Sequence, residues 1–161
     1  MGKINYNVLA KTAKNGKIEY CQHNETFYIT NGYIAVFGEY SQEFLEEALK
    51  LKAKQSDFYE KVESRVSQSC KESLLETGVE FENYKYFATR NKNNTEIIKI
   101  NKDFLKIFGK NKPQISFGNT YKDGALFLVE NKFILILPVA YTRKDMSELE
   151  NYLIMTLKNH F

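Results

Sequence analysis

Lysines and carboxylates at helical spacing are the side chains of this chain best suited to chemistry. Lys11 and Lys14 stand one turn apart, as do Lys102 and Lys106, so each pair shares one side of a helix, away from its apolar arc. Ammonium groups gathered this way displace counterions from a nucleic-acid duplex, giving attraction that is blind to sequence and sensitive to salt. A second set has the opposite sign. Glu43, Glu46, Glu47, Asp57 and Glu60 belong to a stretch whose carboxylates outnumber its lysines and Arg65. An acidic helical face can compete for a channel shaped for phosphates, and charge complementarity speeds the encounter. The spacing of Glu43, Glu46 and Glu47 suits the solvated side of an amphipathic helix better than a divalent-cation site.

Nucleophilic and metal chemistry lacks its parts. The chain holds no Ser/His/Asp set, no glycine-rich phosphate loop and no His/Cys cluster. His23 sits in a polar turn beside Glu25, and His160 is penultimate. Cys21 and Cys70 have no metal-type spacing and read as reduced thiols of a cytosolic protein. The expectation is a protein that is not an enzyme, with no catalytic residue, no metal and no cofactor. Tyr84 and Tyr86 fall on one side of a strand near Phe81 and Phe87. They can stack bases, or pack beneath a helix as aromatic strands usually do.

At 161 residues the chain suits a single domain, 1–161, with room for a real core. Its 43% apolar and 27% charged residues are ordinary for a soluble globular protein. A net charge of +3 permits polyanion binding without requiring it. No apolar run is long enough to span a bilayer and no charged-then-apolar leader opens the chain. A cytoplasmic protein without membrane association is expected. Of 23 basic residues only Arg65, Arg90 and Arg143 are arginine. Lys, Asn, Ile, Tyr and Phe abound, the set that AT-rich codons supply, which points to a low-GC bacterium or its phage. Guanine reading leans on arginine, so a Lys-rich chain suits undirected phosphate contact.

The elements that must carry the lysines come in a repeated order. After a short strand, Asn5 is placed to cap a helix from Tyr6 to Lys14, with Val8, Leu9, Thr12 and Ala13 on its apolar side and Asn15-Gly16 ending it. Strands follow from Ile18 to Gln22, Phe27 to Thr30 and Tyr33 to Phe37. Asn31-Gly32 joins the last two with the positive φ angles of a type I′ turn. The second copy reads as a strand from Glu96 to Ile100, Asn101 as cap, and a helix from Lys102 to Phe108 ended by Gly109. Three strands follow: Ile115 to Phe117, Ala125 to Val129 and Phe133 to Val139. Lys3, Ile4, Asn5, Leu9, Lys14 and Asn15 match Lys99, Ile100, Asn101, Leu105, Lys110 and Asn111.

Between the copies lies the acidic helical insert, 41–78. Ser41 caps a helix carrying Phe44, Leu45, Ala48 and Leu49; a second pattern runs through Phe58, Val62, Val66 and Cys70 to Leu74, closed by Gly78. An aromatic strand from Phe81 to Thr89 and an exposed turn from Asn91 to Asn94 follow. Near the end, Ser147 and Glu150 form a capping box that opens a C-terminal helix. That helix is apolar enough to pack on the sheets or meet a partner, a second copy included. The predicted fold class is α+β: two strand-helix-three-strand repeats forming antiparallel sheets, with a helical insertion between them and a C-terminal helix.

A strand-helix-three-strand unit used twice in one domain resembles the building plan of the sliding clamps of bacterial DNA polymerase. The likeness covers Lys3 to Phe37 and Glu96 to Val139. "KFILILPVAY", Lys132 to Tyr141, looks like the final clamp strand, and "FYITNGYIAVF" is similar to the clamp-like proteins of phage genomes. The resemblance implies two short helices side by side, facing DNA without reading it. Matching positions are Asn7, Lys11 and Lys14 in the first helix and Lys102, Lys106 and Lys110 in the second. The acidic insert has no place in that plan, and a clamp strings several such domains into a ring, so ring closure does not carry over.

Two readings follow. One is a non-enzymatic phage or mobile-element protein with DNA as partner, bound non-specifically through the lysine-bearing helices. The alternative is a phage-encoded inhibitor of a host defence system, of anti-CRISPR type, whose acidic insert docks on a basic nucleic-acid-binding protein of the host.

Overall fold

The structure is a computed structural model and describes residues 3–89, 96–138, 151–153 and 155. Along the chain come α1 (Asn7–Lys11), a 3₁₀ turn (Lys14–Gly16), β1 (Glu19–His23), β2 (Thr26–Thr30), β3 (Ile34–Glu39) and α2 (Gln42–Lys50). Next are β4 (Lys54–Gln55), α3 (Tyr59–Ser69), β5 (Glu72–Phe81), β6 (Tyr84–Thr89), β7 (Ile97–Asn101) and α4 (Lys102–Leu105). A second 3₁₀ turn (Lys106–Phe108), β8 (Ile115–Gly118), β9 (Ala125–Val129) and β10 (Lys132–Ile136) complete the order. The fold is α+β, with one ten-stranded sheet ordered β4-β1-β2-β3-β10-β9-β8-β5-β6-β7. The sheet is mixed rather than wholly antiparallel, because the edge strand β4 runs parallel to β1. Two meanders, β1–β2–β3 and β8–β9–β10, meet where β3 pairs with β10, Phe37 opposite Phe133 and Ile34 opposite Ile136.

The sheet curls. Three strand spacings, about 14 Å in a flat sheet, separate β6 from β9. Yet the rings of Phe87 and Phe127 meet edge to face with centroids 6.0 Å apart. The bend lies along β5, which pairs with β8 only at Glu72 and Ser73 and shifts register against β6 between Glu76 and Glu80. Gly118 allows the close approach: a Cβ there would lie 2.8 Å from Ile98 Cδ1 and 3.0 Å from Leu74 Cδ1.

Strand alternation divides the side chains between two faces. Phe27, Ile29, Ile34, Val36, Phe127 and Ile134 point into the main core, closed by Val8 and Leu9 of α1, Phe44 and Ala48 of α2, and Ile107 and Phe108. Burying Phe44 alone contributes about 1.5–3 kcal/mol. Cys21, Tyr28, Ala35, Phe37, Leu126 and Leu135 point the other way, beneath Val62 of α3 and Phe58, the residue before that helix. So α1, α2 and α4 share one face and α3 has the other. The chain rounds the sheet edge between α2 and α3, where β4 pairs with β1.

Several elements differ from the sequence pattern. α1 is shorter than the stretch from Tyr6 to Lys14 and starts without a side-chain cap. The N–H of Asn5 donates to Ile107 O instead (2.9 Å), and residues 3–5 form no strand. At the other end Lys14 N donates to Asn31 O (2.9 Å), which draws Lys14 off the helix. Asn15 (φ 57) and Gly16 (φ 69) then make the expected left-handed turn. Asn31 is not in a type I′ turn, since in that pair only Gly32 (φ 95) has positive φ. Its buried carboxamide shapes the turn. Oδ1 accepts from Tyr33 N (3.0 Å) and Ile34 N (2.8 Å), while Nδ2 donates to Leu9 O (3.0 Å) and Thr12 Oγ1 (2.9 Å).

The second insert helix ends at Ser69, and 72–81, expected in part as helix closing on Gly78, is strand β5. Leu75, Thr77 and Val79 alternate with exposed neighbours, a period of two. Gly78 (φ 77) sits at the register shift. The aromatic strand begins at Tyr84, after a turn at Glu82 (φ 56), and the last strand stops at Ile136. Leu49 is 53% exposed because α2 buries Phe44 and Ala48. The caps at Ser41 and Asn101 form as expected, their side chains accepting from Phe44 N (3.1 Å) and Asp103 N (2.9 Å).

The Asn91 to Asn94 turn, the Ser147/Glu150 capping box and most of the C-terminal helix lie outside the described residues. Within that helix Leu153 is buried with Tyr86, Ala88 and Ile97, while Tyr152 and Met155 are exposed. Burial withholds Tyr86 from base stacking, and Tyr84 packs against the same cluster. Among the described residues no helix is long and apolar enough to cross a membrane.

Candidate nucleic-acid interface

The two lysine-bearing segments lie side by side. Asn5 N bonds Ile107 O, and the chain before α1 passes so close to Gly109 that a Cβ there would stand 2.6 Å from Lys3 O. Gly109 has φ 63 and ψ −127, a conformation in which glycine is at home and other residues are strained. Lys110 follows Gly109 at this junction and Lys11 ends α1; both are exposed, with no acidic partner among the described residues. Lys102 and Lys106 are already engaged. Lys102 Nζ lies 2.9 Å from Glu80 Oε1, and Lys106 Nζ lies 3.1 Å from Asp103 Oδ1. The Lys102 ammonium holds the Glu80 carboxyl below its usual range. Lys106, helped by the Asn83 amide, does the same to Asp103. Such exposed pairs stabilise the fold little, but a phosphate approaching either lysine must compete with its carboxylate.

Lys14 does not join Lys11 on one helix side. Standing beyond the end of α1, its stem crosses Gly32, whose missing side chain leaves the room: a Cβ there would lie 2.9 Å from Lys14 Cβ. Its Nζ stands 6.0 Å from the centre of the Tyr33 ring. Lys14 lines a cleft of about 420 Å³ between the β2–β3 turn and α3. Lys61 and Arg65, one turn apart on α3, line it too. Ala35, Val62 and Leu135 are among its apolar walls, and Glu19 is its single carboxylate. Lys61 and Arg65 do not stand out in the sequence because they lie in a stretch dominated by acids. The available signal was their i, i+4 spacing beside the buried Phe58 and Val62.

The acidic set does not form one surface. Glu43, Glu46 and Glu47 ride on α2 over the main core, Glu47 lying 3.6 Å from Lys50. Asp57 and Glu60 accompany α3 on the opposite face of the sheet. Nearby, the Tyr28 hydroxyl donates to Glu63, and burial together with this bond pushes its pKa upward. His23 stacks on Tyr59, ring centroids 3.8 Å apart. Cys21 is buried, Cys70 exposed, and both are free thiols. Burial pushes the Cys21 thiol up. Among the described residues no group of His, Cys, Asp and Glu is placed to hold a metal ion.

No protein-family model matches the chain, and neither a curated protein nor a solved structure matches it.

Proposed function

We propose that this chain is a non-catalytic binding module of phage or mobile-element type, built on a clamp-like plan, that contacts DNA without reading its sequence. The carrying observation is the strand order. β1-β2-β3-β10-β9-β8 reads the same when its halves are exchanged, and a short helix precedes each half. The two helical segments touch on one face, where Asn5 bonds Ile107. That is the arrangement a duplicated supersecondary block would leave, with β7 opening the second copy. Lys11 and Lys110 supply charge to the shared surface, and Lys102 and Lys106 add theirs when their carboxylate partners let go. The inhibitor alternative needs one acidic surface, and the fold divides those carboxylates between two faces.

The test is fluorescence anisotropy with a hairpin duplex lacking a terminal phosphate, titrated at several salt concentrations. Binding is expected to be weak and to fall as salt rises. Neutralising Lys11 and Lys110 to alanine should reduce the log–log salt slope by about 1.8, roughly 0.9 for each phosphate contact. No binding at low salt, or an unchanged slope in the double variant, removes the reading.

A further inference from the structure

We infer that the cleft between the β2–β3 turn and α3 is a nucleotide site, taking a nucleoside monophosphate with its phosphate among Lys14, Lys61 and Arg65 and its base against the apolar wall. Three cations against the Glu19 carboxylate leave a formal excess of two positive charges (3 − 1 = 2) in one cleft. That suits a phosphate dianion and exceeds what a lone carboxylate neutralises. Arg65 adds a planar fork that matches two phosphate oxygens at once. Ala35, Val62 and Leu135 offer apolar surface to a base. At about 420 Å³ the cleft falls in the lower part of the roughly 300–1,000 Å³ range of small-ligand sites. It has room for one compact ligand.

The rim is also built in advance. Lys14 is held through its N–H on Asn31 O, and Asn31 by its four side-chain hydrogen bonds. Thr30 Oγ1 accepts from Gly32 N (3.2 Å) and donates to Ile34 O (2.9 Å). Leu137 N bonds Tyr33 O at 2.9 Å, fastening the end of β10 to the same turn. A site assembled before its ligand arrives loses less ordering entropy on binding. The assignment goes beyond the duplex-binding reading and shares none of its lysines.

The probe is AMP, followed by amide chemical shifts and calorimetry on the full chain, with adenosine, inorganic phosphate and a tetraglutamate peptide as separate arms. AMP should shift Gly32, Tyr33, Ile34 and residues 61–65. Arg65→Ala and Lys61→Ala, both exposed on α3, should each weaken it about tenfold or more, the scale of one lost charge-assisted hydrogen bond. Adenosine and phosphate alone should bind far more weakly than AMP, and Lys11→Ala with Lys110→Ala should leave AMP binding unchanged. Absence of shifts at millimolar AMP, or insensitivity to both α3 substitutions, overturns the assignment. Phosphate binding as tightly as AMP also overturns it, since the apolar wall would then be idle. Tetraglutamate binding more tightly than AMP overturns it in favour of an acidic protein partner.

Discussion

Replacing Gly109 by alanine tests whether the two helical segments are held together by direct backbone contact. At φ 63 and ψ −127, outside the left-handed helical well, an L-residue is strained by about 1–3 kcal/mol. A new Cβ would also stand 2.6 Å from Lys3 O, a backbone atom that cannot swing aside as a side-chain end can. Moving Lys3 strains the neighbouring Asn5 N–Ile107 O bond, worth about 1 kcal/mol, and overpacking adds about 1–3 kcal/mol. The sum is about 3–7 kcal/mol, a large share of a small domain's stability. Gly78→Ala is the control: it has φ 77 but nothing within 4 Å of its added Cβ, so it bears the conformational cost of about 1–2 kcal/mol alone. Urea unfolding of both variants, compared at matched m-values, reads the difference directly. A Gly109→Ala loss no greater than that of Gly78→Ala would refute the reasoning, because the contact between Lys3 and Gly109 would then carry nothing.

Three other outcomes are expected. Asn31→Ala removes two acceptor and two donor bonds from a buried turn, so it should lower stability by about 2–3 kcal/mol in urea unfolding; a loss under about 1 kcal/mol would contradict the role given to that side chain. Tyr6 and Tyr28 are held protonated, Tyr6 by burial and then by Glu47 and Glu130, Tyr28 by burial and its bond to Glu63. The folded state therefore holds these protons more tightly than the unfolded chain, so their contribution is complete below the ordinary phenol value of 10.0 and is lost as pH rises above it. Absorbance at the tyrosinate band should show these two phenols ionising only as the protein unfolds, and ionisation alongside exposed tyrosines would contradict this. Glu80→Gln releases Lys102 and should raise duplex affinity at low salt, steepening the salt slope by about 0.9; an unchanged slope would mean that Lys102 faces no phosphate.

Local chemistry made some elements readable from the sequence. Ser41 and Asn101 announce their helices because capping depends on a few consecutive residues, and Gly109 announces an end because its backbone must turn left-handed. β5 was not readable in the same way. "ESLLETGVEF" mixes good helix formers with a weak alternation, and its state is decided by pairing with β6 across the short turn at Glu82 and with β8, far along the chain. The division of the acidic stretch was hidden for a related reason. α2 and α3 each show an apolar side, but nothing local says which face of the sheet receives it. The basic cleft needed three separate facts at once: the position of α3, the absence of a side chain at Gly32, and the hold of Asn31 on Lys14. Of the expected lysines, Lys11 stands exposed at the end of α1 and Lys110 beside Gly109, Lys102 and Lys106 stand paired, and Lys14 belongs to the cleft.

Amide shift mapping of the protein with a phosphate-free hairpin duplex at low salt addresses the DNA-contact proposal most directly. The account predicts shifts confined to α1 and to 102–112, fading together as salt is added, while α3 and the turn at Lys14 stay unmoved. Shifts centred on α3, or none at all, would contradict it.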